Sequence, residues 1–300
     1  MLPKLLGAVV GLLWVCESIA ADDGSSTGEF VPAWDAVCGI GTDVAQGCDA
    51  IRARAIVDAS VYPWSAIGRV NFAGYRIQQH CTGALISERL VLTAAHCLFN
   101  KPRKKWLRAQ SVHFLAGYQR GAYLAHSNAV RYFVSSSYDT ESRKQQQFNP
   151  KDDWALLELR EPIGSSVGYL GWAMFDFTGL ERALQSGGEI ALAGYPNVRK
   201  HVMSVDMKCE EAFLRKDGDI LFHQCATMQG DSGDPVLLLE NGTATIVAVH
   251  SGAWSLEGEV YSVATPVESF SKAIVEALGD NRSLKLEDGR SGLSGKPPAH

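Results

Sequence analysis

Between residues 56 and 279 the apolar positions fall into short β-prone runs bounded by turn residues: Ser65–Phe72, Thr82–Ile86, Leu90–Thr93, Val112–Ala116, Ala129–Val134, Ala155–Leu159, Glu189–Ala193, Val202–Met207, Ile220–Gln224, Pro235–Leu239, Ala244–His250 and Glu259–Ala264. Many short strands at this spacing predict an all-β sandwich or barrel. Helical periodicity is confined to a turn at Ala94–Cys97 and a terminal stretch with apolar residues at Val267, Phe270, Ile274 and Leu278, closed by Gly279. Residues 280–300 are polar, contain Gly, Ser and Pro, and read as a disordered tail.

The N-terminus has a different texture. Lys4 precedes an apolar run from Leu5 to Cys16 that ends in Ser18–Ile19–Ala20–Ala21, the layout of a secretory signal with cleavage near Ala20. The run falls short of the ~20 apolar residues that span a bilayer, so residues 1–20 read as a signal and no membrane partner is expected after its removal. Residues 21–55 are rich in Gly, Ser, Asp and Ala and read as a pro-segment or N-terminal arm, leaving 56–279 as the main body.

Of the seven cysteines, Cys16 lies in the leader. Those remaining are expected to pair with sequence neighbours, Cys38–Cys48, Cys81–Cys97 and Cys209–Cys225, although other connectivities stay open. An exported protein meets the oxidising conditions that disulfides need, so an extracellular location is expected, or a periplasmic one in a bacterium. Neither a CxxC pair nor HExxH is present, so no metal is expected. The formal net charge of −5 gives no electrostatic reason to expect nucleic acid, and the basic run Lys101–Lys105 reads as a solvated loop.

Three local motifs carry chemistry. The first is Cys81–Thr82–Gly83–Ala84–Leu85–Ile86 followed by Thr93–Ala94–Ala95–His96–Cys97; the second is Asp153–Trp154–Ala155–Leu156–Leu157; the third is Gly230–Asp231–Ser232–Gly233–Asp234–Pro235. Together they resemble the chymotrypsin/trypsin family of serine peptidases, and the order His, Asp, Ser differs from the orders of subtilisins and α/β-hydrolases.

The resemblance implies two six-stranded antiparallel β-barrels with a C-terminal helix, and a catalytic triad of His96, Asp153 and Ser232. Asp153 matches by register; its neighbour Asp152 is the competitor and reads as a solvated turn carboxylate. The amides of Gly230 and Ser232 would form the oxyanion hole. Asp234 departs from the glycine or serine usual at its place. Cys81 and Cys97 match a cysteine pair of the family. No cofactor is implied, because the chain supplies nucleophile, base and oxyanion donors. The partners implied are protein or peptide substrates of a monomeric enzyme. A catalytically inactive binding relative and an esterase are the alternatives.

Specificity is read from Ala226, Thr227, His250, Ser251 and Gly252. Ala226 stands six residues before the nucleophile, where trypsin carries the aspartate that selects basic side chains, so no counter-charge awaits Arg or Lys. Thr227 and His250 match positions with which the V8-like glutamyl endopeptidases bind an acidic side chain, implying cleavage after Glu. Activation has two readings. One is cleavage near Arg54–Ile56, with the new amine pairing to Asp231; the other is a mature chain that starts near Ala21.

Overall fold

A computed structural model describes residues 48–74, 77–100, 102–140, 149–207, 209, 211–215, 218–256 and 259–279. The leader, the tail and the Cys38–Cys48 pairing lie outside the described residues.

In the N-terminal half, helix α1 (Cys48–Ala53) leads into strands β1 (Ala55–Ile56), β2 (Ile67–Gly74), β3 (Ile77–Leu85), β4 (Leu90–Thr93), β5 (Phe99–Asn100), β6 (Lys105–Trp106), β7 (Val112–Ala116), β8 (Ala125–Val134) and β9 (Ala155–Leu159). The order β2–β3–β4–β9–β8–β7 closes into a barrel. Closure removes every free strand edge, and the strand pattern matches it. In β7, Val112, Phe114 and Ala116 turn inward between half-exposed neighbours, while β4 and β9 are buried at every position.

After α2 (Gly164–Val167) come β10 (Gly171–Trp172), α3 (Phe177–Gln185), β11 (Glu189–Gly194), β12 (Ser204–Asp206), β13 (Ala212–Leu214), β14 (Leu221–His223), β15 (Pro235–Glu240), β16 (Thr243–Leu256) and β17 (Glu259–Pro266). These strands, with β1, form a second sheet in the order β1–β12–β11–β15–β16–β17–β14–β13. The all-β expectation and the terminal helix, which spans 271–279, are both met. The finer picture of the second half differs from a plain six-stranded barrel. Among the described residues its path runs through eight strands, and β10 adds a parallel pairing to β16.

One contiguous apolar core joins Val70, Leu92, Phe114 and Leu156 of the barrel to Ala193, Leu237 and Val249 of the sheet and to Phe270 and Ile274 near the C-terminus. A second cluster packs Leu180 of α3 on Ile190, Leu192, Val236 and Leu238. Helix α3 is not among the elements that the sequence pattern predicts. Its signal is short: the Asp176 carboxylate caps it by accepting from the Gly179 amide at 2.6 Å, and within it Leu180 alone is fully buried.

Candidate active site

The segment that carries His96 leaves β4 as a short 3₁₀ turn, Ala95–Leu98, tied back to β3 by the Cys81–Cys97 disulfide with Cα atoms 6.2 Å apart. Asp153 ends a second 3₁₀ turn, Pro150–Asp152, just before β9. Because β4 pairs with β9, Thr93 opposite Ala155, the ends of the two strands bring these side chains together. The Asp153 carboxylate is fully buried and accepts twice from His96, from the backbone amide at 2.8 Å and from ring Nδ1 at 2.7 Å. A double grip of this kind fixes both the position of the ring and its tautomer. Asp152 is settled elsewhere: it accepts from the Ser135 hydroxyl at 2.7 Å.

Ser251 donates a third hydrogen bond to Asp153, at 2.6 Å to Oδ2. Its hydroxyl thereby orients the carboxylate. The cause is local: the β16–β17 register shifts between His250 and Gly252, and the extra residue turns its hydroxyl toward Asp153. Thr265 on β17 donates to the Pro150 carbonyl and so steadies the turn that presents Asp153.

Thr82 of β3 is the joint between the nucleophile loop and the barrel. Its amide donates to the Ser232 carbonyl at 2.9 Å, its hydroxyl donates to the Gly230 carbonyl at 3.2 Å and accepts from the Tyr195 amide at 3.2 Å, and its carbonyl accepts from the Thr93 hydroxyl at 2.7 Å. The carbonyls that lie trans to the Gly230 and Ser232 amides, those of Gln229 and Asp231, accept from the Asn197 amide at 2.7 Å and the Asp234 amide at 2.8 Å, and the two amides themselves donate to no partner among the described residues. Two glycines make this shape possible. Gly230 has φ +108° and Gly233 φ +85°; a Cβ on Gly233 would lie 2.3 Å from the Thr82 carbonyl oxygen and from Thr93 Oγ1. Cys97 Sγ lies 3.8 Å from the Ser232 carbonyl oxygen, so the loop sits directly against the turn that carries His96.

Beside this loop the Cys209–Cys225 disulfide, with Cα atoms 4.4 Å apart, anchors the start of the segment 225–231. Thr227 and Ser262 share a hydrogen bond of 2.7 Å between their hydroxyls. Ser262 stands opposite His223 across β14–β17, and the His223 ring meets His250 edge-on with centroids 5.4 Å apart. The structure thus links Thr227 to His250 by way of Ser262 and His223, which no motif marked. Burial lowers the pKa of both histidines, His223 to about 3 with Arg54 adding to the effect, and His250 well below its usual value. A Cβ on Gly252 would meet nothing within 4 Å, which leaves open space beside the His250 strand. Ala226 is held by its backbone: its amide donates to Asp206 Oδ2 at 2.9 Å and its carbonyl accepts from Arg54.

Two groups of Cys and His side chains come together, Cys81–His96–Cys97 and Cys209–His223–Cys225, but in each the cysteines are joined in a disulfide and offer no thiolate. No described helix is long and apolar enough to cross a membrane.

Known proteins resemble the chain in family and fold. The chain is 27% identical over 142 residues to the glutamyl endopeptidase of Bacillus licheniformis, a match that covers 47% of this chain and 39% of that protein. It is 26% identical over 196 residues to kallikrein 1-related peptidase b1 of Mus musculus, covering 58% of this chain and 70% of the relative. The structure of a Glu endopeptidase in complex with MPD superposes with a TM-score of 0.58 at 22% identity, covering 75% of this chain and 95% of that one, which supports the fold. The profile of the Trypsin family matches residues 56–274, most of the chain, and on that match the protein belongs to the trypsin family of serine peptidases.

Proposed function

We propose that this chain is a serine endopeptidase that cleaves peptide bonds through an acyl-enzyme on Ser232, with a preference for acidic side chains on the acyl side of the cut. The observation that carries the reading is the Asp153 carboxylate, fully buried and accepting from His96 Nδ1, the His96 amide and Ser251. An imidazole held in this tautomer can take the Ser232 proton as Oγ attacks the peptide carbonyl. The negative charge on the tetrahedral oxygen then falls to the Gly230 and Ser232 amides. His96 returns the proton to the departing amine, and a water activated by the same base hydrolyses the ester.

Support for the acidic preference comes from the hydrogen-bonded hydroxyls of Thr227 and Ser262 and from the contacts that run on from Ser262 through His223 to His250. Hydroxyl and imidazole N–H groups are donors suited to a carboxylate. Ala226, at the place of the aspartate that selects basic side chains in trypsin, has no ionisable group to attract Arg or Lys. A relative named glutamyl endopeptidase adds to the case. Export through a leader at residues 1–20 fits the two described disulfides.

Incubating the purified protein and its Ser232→Ala variant with a peptide library tests both parts. Cleavage by the wild type alone, concentrated after Glu and Asp, is the expected result. Cleavage with no acidic preference would remove the specificity claim and leave the peptidase standing; equal cleavage by both proteins would remove the peptidase.

A further inference from the structure

Arg54 lies before the matched family region, yet its guanidinium is wholly enclosed and paired with Asp231, the residue before the nucleophile. Nη1 reaches Asp231 Oδ1 at 2.9 Å and Nη2 reaches Oδ2 at 2.8 Å, a two-pronged pairing. The same guanidinium donates to the Ala226 carbonyl, from Nε at 3.1 Å and from Nη2. One side chain therefore holds both ends of the segment 226–231, which contains Thr227 and the Gly230 amide. Asp231 is also bound to this segment directly, Oδ2 accepting from the Met228 amide at 2.9 Å.

The backbone around Arg54 is built into the fold. Arg199 donates to the Arg54 carbonyl at 3.0 Å and to the Arg52 carbonyl at 2.9 Å. Ile51 is buried, and Ala55–Ile56 pair with Ser204–Val205. Burial works against the Arg54 charge, but Asp231, then Asp234, outweigh it and hold the pKa above its usual value. In the uncut chain the cation against the Asp231 carboxylate is Arg54.

We propose that Arg54 is the positioning residue of the oxyanion loop, doing from an internal side chain what a freed N-terminal amine would otherwise do, so that the chain is competent without a cut between Arg54 and Ile56. The proposal rests on the serine-peptidase reading. It assigns the cleavage that Ile56–Val57 suggested no part in activation. Arg54 touches no substrate atom; it acts by holding Gly230 and Thr227 where they can.

A fluorophosphonate that labels Ser232, used as an active-site titrant with intact mass spectrometry, tests this. The labelled wild type is expected to retain the Arg54–Ala55 bond; a labelled population that begins at Ala55 or Ile56 would overturn the proposal. Arg54→Ala is expected to lower kcat/KM per titrated site roughly 100-fold, the size of effect that follows loss of one oxyanion donor. Added guanidinium ion should restore part of the loss. A structural role alone would shrink the titrated fraction and leave the rate per site unchanged, which would contradict the proposal. Should Arg54→Ala fail to fold, Arg54→Lys decides: ammonium cannot span Asp231 and Ala226 together, so its rate per site should fall about tenfold, and an unchanged rate would overturn the claim. If the wild type is folded but takes no label, it is the peptidase reading that has failed.

Discussion

The two halves of the molecule bury different kinds of groups. The closed barrel is filled with carbon, and its buried acids Asp153 and Glu158 have partners in His96 and Arg131. The sheet half encloses Arg54, Asp231, Asp234, His223 and His250, each less than 5% exposed. Among the described residues the carboxyl oxygens of Asp234, both ring nitrogens of His223 and Nδ1 of His250 lack hydrogen-bond partners. Groups of this kind cost stability when left unpaired in a low dielectric. The barrel thus acts as a frame that holds His96 and Asp153, while the sheet half gives up stability to enclose polar groups around the loop that carries Ser232.

The largest effect expected from this division falls on activity alone. Asp153→Asn should lower kcat by about 10⁴-fold, as removal of the orienting carboxylate does in such triads, with little change in Tm. A modest loss would mean that Ser251 and the backbone hold His96 unaided. In the barrel the reverse should hold: Phe114→Ala is expected to cost about 3–5 kcal/mol in chemical denaturation while the rate per titrated site stays the same. A changed rate per site would show that the frame tunes chemistry as well as bearing it.

In the sheet half, substitution should reveal the cost of the buried ionisable groups. Burial first, then Asp231, raises the Asp234 pKa well above the carboxylate range. A carboxyl whose folded pKa exceeds its unfolded one weakens the fold as pH rises above the unfolded value. Asp234→Ser should therefore stabilise the protein by about 1–3 kcal/mol at neutral pH, with the gain fading below pH ~4. A gain independent of pH would point to packing. A gain absent altogether would show that Asp234 supports the Arg54–Asp231 pair.

At neutral pH the last effect vanishes, because it is a slope that develops on acidification. His223 has a folded pKa of about 3. Its unfolded value is near 6.5, so its contribution is intact above pH ~6.5 and is lost as pH falls toward 3, at up to about 1.4 kcal/mol per pH unit. Tm measured from pH 7 to 4 should fall less steeply in His223→Phe. An unchanged slope would place the acid sensitivity at another group, His250 first.

Legibility in the sequence follows the same line. Strands such as Leu90–Thr93, Val112–Ala116 and Ala155–Leu159 are readable to the residue because carbon burial imposes a pattern on the chain. His96, Asp153 and Ser232 stand in motifs. Ser262 and His223 do not, and the contacts that Thr82 and Ser251 make are not encoded in the segments that contain them, because these arise from a bulge and from cross-strand neighbours that no local spacing marks. Arg54 is hidden for a different reason: its partner lies 177 residues away, and its own segment carries little periodicity. Short elements such as β10 and α3 escape a sequence reading because tertiary packing, more than propensity, makes them form.

Labelling the folded protein with a fluorophosphonate and mapping the adduct by peptide mass spectrometry tests the central claim most directly. The account predicts one adduct, on Ser232, lost in Ser232→Ala and strongly slowed in Asp153→Asn; a folded wild type that takes no label, or takes it at another residue, would contradict it.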